Sequence, residues 1–450
     1  MDLETIVLRA LEKDPDRRYP SAGELAADLR RYLRREPIQA RPPSTWTRIS
    51  RKALRNRLPL SLATAVLVAL SAVGALALIY SQGRTQKAAR ERLLPEIERL
   101  VQKEDFLGAY QLAKEAERFI PGDPVLARLW PRLSLPCSIT SNPPRAEVFF
   151  KKYEDLTGGW IPLGTTPIEE TRLPRGALRW RVTKPEFETL DRGPRRLEEF
   201  AQAGSTRVGK NVHFDLFEEK GHPPGMAWIP PSDLEVELAF VPGVKPVKAP
   251  GYWIDRFEVT NAEFQEFLDA GGYEKPALWK EQFVKDGQVL TWEKAREAFR
   301  DRTGKPGPST WEAGRYPAAK EKHPVAGVSW FEAAAYAKFR GKSLPTIYHW
   351  AYAACTNEAS IIIPLSNFEE EGTVTVGSRG GIGFTGLSDM AGNVKEWCWN
   401  AADPTGKRRY IPGGAWGDPS YQFLEADAQS PWDRAATNGF RCVWPPPWAL

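Results

Sequence analysis

The 450 residues are 42% apolar and 11% aromatic, include 17 tryptophans, and have the length of roughly two to four domains with cores of their own. With 36 Gly and 39 Pro, the composition favours loop-rich or β-rich modules over a helical bundle. A net charge of +5 excludes a nucleic-acid partner recognised by bulk charge, because the basic excess sits in the first 57 residues, which hold 14 Lys/Arg against 8 Asp/Glu.

Residues 2–36 carry apolar side chains at helical spacing (Leu3, Ile6, Val7, Ala10, Leu11), then Asp14-Pro15 breaks the helix. A second helix is expected behind Ser21, with Glu24 three residues on as a capping-box partner. Two helices of about 12 residues cannot bury a core alone. The runs Ala10-Leu11-Glu12-Lys13-Asp14-Pro15, Arg17-Arg18-Tyr19 and Ala27-Asp28-Leu29 resemble the last two helices of a bacterial serine/threonine protein kinase domain. The resemblance implies that residues 1–40 are the tail of that catalytic domain. It also implies that Arg18 stands where the family pairs an arginine with a glutamate of the activation segment. The glycine-rich loop, strand lysine, His-Arg-Asp and Asp-Phe-Gly motifs do not occur here. The expectation is therefore the C-terminal part of a receptor-type kinase, with its catalytic core absent from this chain.

A basic linker (41–57) precedes Leu58–Tyr80, 23 residues without a charge. As a helix this run is roughly 34 Å long, enough to cross a hydrocarbon core of about 30 Å. It is read as a single membrane span, making the lipid bilayer a partner. Six Lys/Arg in the 20 residues before it and five in the 20 after give only a slight lean in orientation. The kinase resemblance implies a cytoplasmic N-terminus, since ATP is cytoplasmic, and an extracytoplasmic location for the chain beyond residue 81.

Residues 86–133 are expected to hold two amphipathic helices. The second, Gly108 to Phe119, places Ala109, Leu112, Ala113 and Ala116 on one face and ends at Pro121-Gly122-Asp123-Pro124. The segment resembles one tetratricopeptide-like hairpin, read as a spacer because a single repeat forms no solenoid. Residues 137–217 turn to strand chemistry at 146–150 and 180–182, with turns at Asn142-Pro143-Pro144, Thr165-Thr166-Pro167 and Pro174-Arg175-Gly176. Those turns and Leu163-Gly164-Thr165-Thr166-Pro167 resemble a PEGA-type module, which implies a small β-sandwich.

Residues 225–445 hold five anchors in order. These are Tyr252 to Phe264, with Thr260 and Glu263 as a capping box; His323 to Trp330, with Ser329 and Glu332 as another; Leu344-Pro345-Thr346; Asp389 to Trp397; and Asn438-Gly439-Phe440-Arg441-Cys442. Their order resembles the formylglycine-generating, or sulfatase-modifying-factor, family. The resemblance implies an α+β C-type-lectin-like fold with many loops, so that the whole chain reads as a multidomain protein. Departures from the family are specific. Ile347 and His349 stand where two glutamates usually follow Leu-Pro-Thr. The segment Gly413-Gly414-Ala415-Trp416 is followed by Asp418 and Phe423 where active members carry two cysteines. Copper-dependent oxidation needs two thiolates for Cu(I), since soft ligands select that ion, so copper is not expected. In relatives the Gly392–Trp397 segment lines a calcium site, which implies Asn393 and Glu396 as ligands of a Ca²⁺ ion here. The fold also implies that Cys398 and Cys442 lie on pairing strands where a disulfide can form.

Cys137, Cys355, Cys398 and Cys442 show no zinc-type C-x-x-C spacing, and His213, His222, His323 and His349 form no H-E-x-x-H helix. Gly381–Gly386 matches G-x-G-x-x-G but lies in a glycine-rich loop with no helix behind it, so it is not read as a phosphate site. No catalytic residues are assigned. Aromatic and polar residues on loops of a rigid scaffold suit a binding surface, here Trp416, Asp418, Tyr421, Phe423, Trp432 and Arg434. The expected function is a membrane-anchored, non-catalytic sensor binding an extracytoplasmic polysaccharide, peptide or cell-wall fragment. The competing readings are a divergent modifying oxidase and a structural envelope protein.

Overall fold

The computed structural model describes residues 2–40, 57–194, 211–231, 247–248 and 250–444. The basic linker expected at 41–57 lies, except for Arg57, outside the described residues. The chain forms two compact units, Met1–Leu93 with Arg118–Pro121, and Leu94–Glu117 with Gly122–Leu450.

In the first unit, helices α1 (Asp2–Ala10) and α2 (Ala22–Leu33) are joined by a turn whose Asp14 side chain accepts the Asp16 N–H. Buried Asp28 ties the unit together. Its carboxylate accepts from the Tyr19 hydroxyl (2.8 Å) and from the amides of Gln39 (2.6 Å) and Ala40 (2.8 Å). Ser21 caps α2 by accepting the Glu24 amide at 3.3 Å. Arg18 donates to the carbonyls of Glu12 and Lys13. Leu3, Val7 and Leu8 of α1 and Leu11 just after it leave an exposed apolar stripe, and Leu33 is 78% exposed. Helix α3 spans Arg57–Ala88, longer than the uncharged run, because Ser81 to Ala88 contains no proline to stop a helix where hydrophobicity ends, and the single Gly83 is tolerated. Every side chain from Leu62 to Ala88 is exposed, and the helix is long and apolar enough to cross a membrane.

The second unit begins with three helices, α4 (Leu94–Gln102), α5 (Phe106–Phe119) and α6 (Pro124–Leu133), where two were expected. The Pro121–Pro124 run both ends α5 and starts α6. The Asp123 side chain accepts the amides of Val125 and Leu126, and Pro124 occupies the first turn, where its missing N–H costs nothing. Ala109, Ala113 and Ala116 are fully buried, as their spacing predicts. Seven strands come next: β1 Ser134–Asn142, β2 Glu147–Lys152, β3 Ile161–Thr165, β4 Ile168–Pro174, β5 Leu178–Thr183, β6 Leu190–Arg192 and β7 Asn211–Asp215. They form two sheets, ordered β4-β1-β7 and β3-β2-β5-β6. Buried Trp180 packs on Phe150 of its own sheet (ring centroids 6.2 Å apart) and on Phe214 of the other (6.1 Å), so this is a small two-sheet module.

The C-terminal domain has short strands around a three-stranded sheet, in which Tyr252–Asp255 lies between Val443–Trp444 and Met226–Ile229. Its helices are α7 (Asn261–Asp269), α8 (Trp330–Phe339) and α9 (Ile347–Ala354). The capping boxes Thr260/Glu263 and Ser329/Glu332 are both complete. A third was not foreseen, because His349 takes the glutamate's place: its Nδ1 accepts the Thr346 amide while Thr346 accepts the His349 amide. Burial pulls the His349 imidazole down to about 4, so the acceptor nitrogen stays unprotonated at neutral pH.

Loop 380–386 has a structural role. Tyr153 donates to the Ile382 carbonyl (3.0 Å), the Gly193 amide to Gly383 (2.8 Å), Arg179 to Gly380 and Arg192 to Thr385. The glycine-rich run is thus the seam between the β-module and the C-terminal domain.

A buried ionic frame and the candidate ligand face

The cassette Asp389–Trp397 makes its turns through left-handed residues, Asp389 (φ 56°), Gly392 (φ 79°) and Asn393 (φ 62°). At Gly392 a Cβ would come within 2.4 Å of the Asn367 carbonyl oxygen, so only glycine fits. The cassette then pairs, in parallel, with Asn438–Gly439.

This arrangement collects charge in the interior. Glu396 and Arg441 are both fully buried and form a bidentate pair at 2.7 Å on each arm, with the Trp350 indole N–H at 2.9 Å. Arg441 also donates to the carbonyls of Asp255, Arg256 and Ser388. Glu258, 1% exposed, accepts from Asn393 Nδ2 (2.8 Å) and the Val394 amide (3.1 Å). Burial pushes the Glu258 carboxyl well up, with the nearby charges of Asp389 and Glu396 adding to the effect. Burial likewise pushes Asp389 up to about 6, against the Gly377 amide and Arg441, which pull it down.

These contacts bear on two expectations. Both Glu396 oxygens are held by Arg441 and Trp350, and the Asn393 Oδ1 accepts from Asn367 Nδ2 and the Val374 amide. Both side chains thus spend their oxygens inside the protein, and among the described residues no group of three His, Cys, Asp or Glu is placed to hold a metal. The Cys398–Cys442 disulfide is not formed: both thiols are free and buried. They belong to two different apolar cores. The Cys398 amide bonds Tyr410, whereas the Cys442 amide bonds Asp255.

The six expected ligand residues divide. Phe423 is fully buried with its ring edge-on to Trp350 (6.1 Å). Trp432 stacks on Phe299 (5.7 Å) and donates to the Val284 carbonyl (2.7 Å). Arg434 pairs with buried Glu332 through Nε and Nη2, both at 2.9 Å, and donates to the carbonyls of Ala298 and Arg300. All three are framework, since each meets its partners from elsewhere in the domain. Trp416 is half-buried and its indole reaches the Ala436 carbonyl at 3.5 Å. Tyr421 is 59% exposed, beside Leu424 at 45%.

Asp418 is held by a residue that the motifs did not single out. Lys395, 9% exposed, reaches Asp418 at 3.2 Å and Asp427 at 2.7 Å, and Asp418 also accepts the Ala415 amide at 3.0 Å. The one signal in the sequence is a Lys-Glu pair between Val394 and Trp397, since buried charges need partners. Position 418 therefore carries a carboxylate in an ion pair, and position 423 a ring sealed in the core. Neither offers a soft ligand or a nucleophile.

Asp389 supplies a pH prediction. Its folded pKa is raised above the unfolded value of 3.8, so it stabilises the fold below about pH 4, and that contribution is lost as pH rises through about 6. Asp389→Asn removes the loss and keeps an acceptor for the Gly377 amide. The variant is expected to unfold at higher denaturant concentration at pH 7, by ~3 kcal/mol at most for two pKa units. It should match the parent near pH 4 in denaturation series run across that range.

The domain is thus a loop-rich α+β scaffold with a buried ionic frame. A family model for the Sulfatase-modifying factor enzyme 1-like domain matches residues 213–446, and the chain belongs to that family. It is 28% identical over 263 residues to serine/threonine-protein kinase Pkn1 of Chlamydia trachomatis, covering 48% of this chain and 39% of that protein. It is 29% identical over 258 residues to the formylglycine-generating enzyme of Thermomonospora curvata, covering 45% of this chain and 85% of that protein. It is also 29% identical over 236 residues to the inactive C-alpha-formylglycine-generating enzyme 2 of Mus musculus, covering 42% and 74%. The chain thus spans well under half the length of the kinase relative it matches.

Proposed function

We propose that the C-terminal domain is a non-catalytic ligand-binding head, carried outside the cytoplasm by the helix Arg57–Ala88, in a receptor-type kinase whose catalytic core precedes it. The observation that carries this reading is the pair of sealed positions: Asp418 ion-paired to Lys395, and Phe423 fully buried. Family chemistry at those positions needs two thiolates, and a carboxylate and a phenyl ring bind no Cu(I). The kinase relative and the exposed apolar stripe of α1 support the cytoplasmic half, because a face of leucine and valine suits packing against further protein. Binding is assigned to the side bearing Tyr421, Leu424 and Trp416, where apolar area remains exposed on a fixed scaffold.

The divergent-oxidase reading is tested directly. The full chain in detergent is incubated with a Cys-x-Pro-x-Arg peptide, copper and oxygen. The peptide is expected to return with its thiol intact; an aldehyde in the product would show the domain to be an enzyme. Membrane anchoring is tested separately: the chain should stay with membranes after alkaline carbonate washing and leave them in detergent.

A further inference from the structure

The last turn of α2 carries a patch for which the proposed function has no use. Arg30, Leu33, Arg34 and Arg35 are all exposed there. Among the described residues none of these three guanidiniums forms an ion pair, and Arg30 and Arg34 stand four apart, where like charges repel across one helical turn. The helix macrodipole favours cations at a C-terminus, which accounts for Arg30 and Arg34. It does not account for a leucine left in water among them, nor for Arg35.

The turn closes as a Schellman motif. The Glu36 amide donates to the Arg31 carbonyl at 2.8 Å, and the Arg35 amide to the Tyr32 carbonyl at 3.1 Å. Arg35 takes the left-handed position of that motif (φ 61°), which glycine ordinarily fills because a Cβ is strained there. A charged side chain is thus kept where the backbone is better served by none, and strain of this kind gathers where a side chain has a use.

Guanidiniums around one leucine complement an anionic phospholipid surface. Headgroup phosphates accept paired hydrogen bonds from arginine, and an apolar side chain beside them enters the acyl boundary. The stripe of α1 differs in being apolar, which suits protein. The course of the chain keeps a lipid surface within reach. Helix α3 begins at Arg57, and the stretch from Ala40 to Arg57 reaches on the order of 60 Å at most, even fully extended. From Pro37 to Arg57 there are six Lys/Arg and no Asp or Glu, so nothing in the tether repels an anionic leaflet.

We propose that the C-terminal end of α2 docks on the anionic phospholipid leaflet from which α3 emerges, with Arg30, Arg34 and Arg35 on headgroup phosphates and Leu33 at the acyl boundary. The proposal rests on reading α3 as a membrane span. The test places the full chain in nanodiscs of phosphatidylcholine, alone or mixed equally with phosphatidylglycerol, and follows hydrogen exchange over residues 30–36. Exchange is expected to be about ten-fold slower or more in the anionic discs at about 0.1 M salt, with the difference gone near 1 M, where screening shortens to about 3 Å. Each chain is compared with itself in two lipids, so the marginal stability of two helices alone enters both sides alike. Arg35→Gly relieves the left-handed strain, so its exchange in neutral discs should be no faster than the parent's. Its protection in anionic discs should nevertheless fall about five-fold, the worth of one arginine near such a surface. The triple variant Arg30→Gln, Arg34→Gln, Arg35→Gly should exchange equally in both discs. Equal exchange of the parent in the two lipids overturns the proposal. So does a lipid dependence that survives in the triple variant, which would place the attraction in the linker. A chain that never enters the discs overturns the membrane span and this docking with it, whereas one that enters and ignores the lipid overturns the docking alone.

Discussion

Arg441→Met is expected to unfold the C-terminal domain or bring it to the edge of unfolding. The guanidinium makes two 2.7 Å bonds to Glu396 and three more to backbone carbonyls, all without solvent. Its removal leaves Glu396, Glu258 and Asp389 as buried carboxylates facing no cation of their own. Breaking a buried pair by deleting one partner costs about 3–5 kcal/mol, against a total stability of about 5–15 kcal/mol for a domain. Thermal unfolding followed by tryptophan fluorescence should show a much lower or vanished transition. Glu396→Gln in the same chain should recover part of the loss, because a neutral amide no longer needs the guanidinium and can still accept from Trp350. A melting temperature for Arg441→Met within a few degrees of the parent would show that the frame is held by something else.

Gly193→Ala should separate the β-module from the C-terminal domain while leaving each folded. A Cβ at this position falls 1.9 Å from the Ile382 carbonyl oxygen, backbone that cannot rotate away. Relief requires the seam to open, breaking the Gly193–Gly383 bond and pulling on the contacts from Tyr153, Arg179 and Arg192. Hydrogen exchange should show lost protection at Gly193 and the 380–386 loop, with the sheets and capped helices unchanged. Gly159→Ala, where a Cβ meets nothing, is the control. Retained protection at Gly193 in the variant would mean that the seam is pliable.

The sequence revealed features whose cause is local. An uncharged run of 23 residues needs no tertiary contact to be recognised, and neither do the Thr260/Glu263 and Ser329/Glu332 boxes, whose partners are three residues apart. Helix α6 escaped because Asp123-Pro124 is punctuation that both ends and begins a helix. The candidate face was legible only in part. Trp432, Phe423 and Arg434 sit in loops without periodicity, and their partners Phe299, Trp350 and Glu332 are 73 to 133 residues away, so burial left no local trace. The roles of Arg441 and Lys395 had no local trace, since the carboxylates that justify their burial come from other segments.

Glu332 shows how the domain's parts depend on one another. Its carboxylate closes the cap of α8, takes the Tyr273 hydroxyl at 2.7 Å and holds Arg434. Three stretches of chain thus meet on one side chain with no exposure, and losing any of them leaves a buried charge undersatisfied. The domain therefore has no natural place to be shortened: a version ending before Arg434 would carry an intact α8 sequence around a carboxylate stripped of the Arg434 guanidinium. Folding of this head is expected to be all-or-none, its earliest helix caps becoming secure only when the final strands arrive.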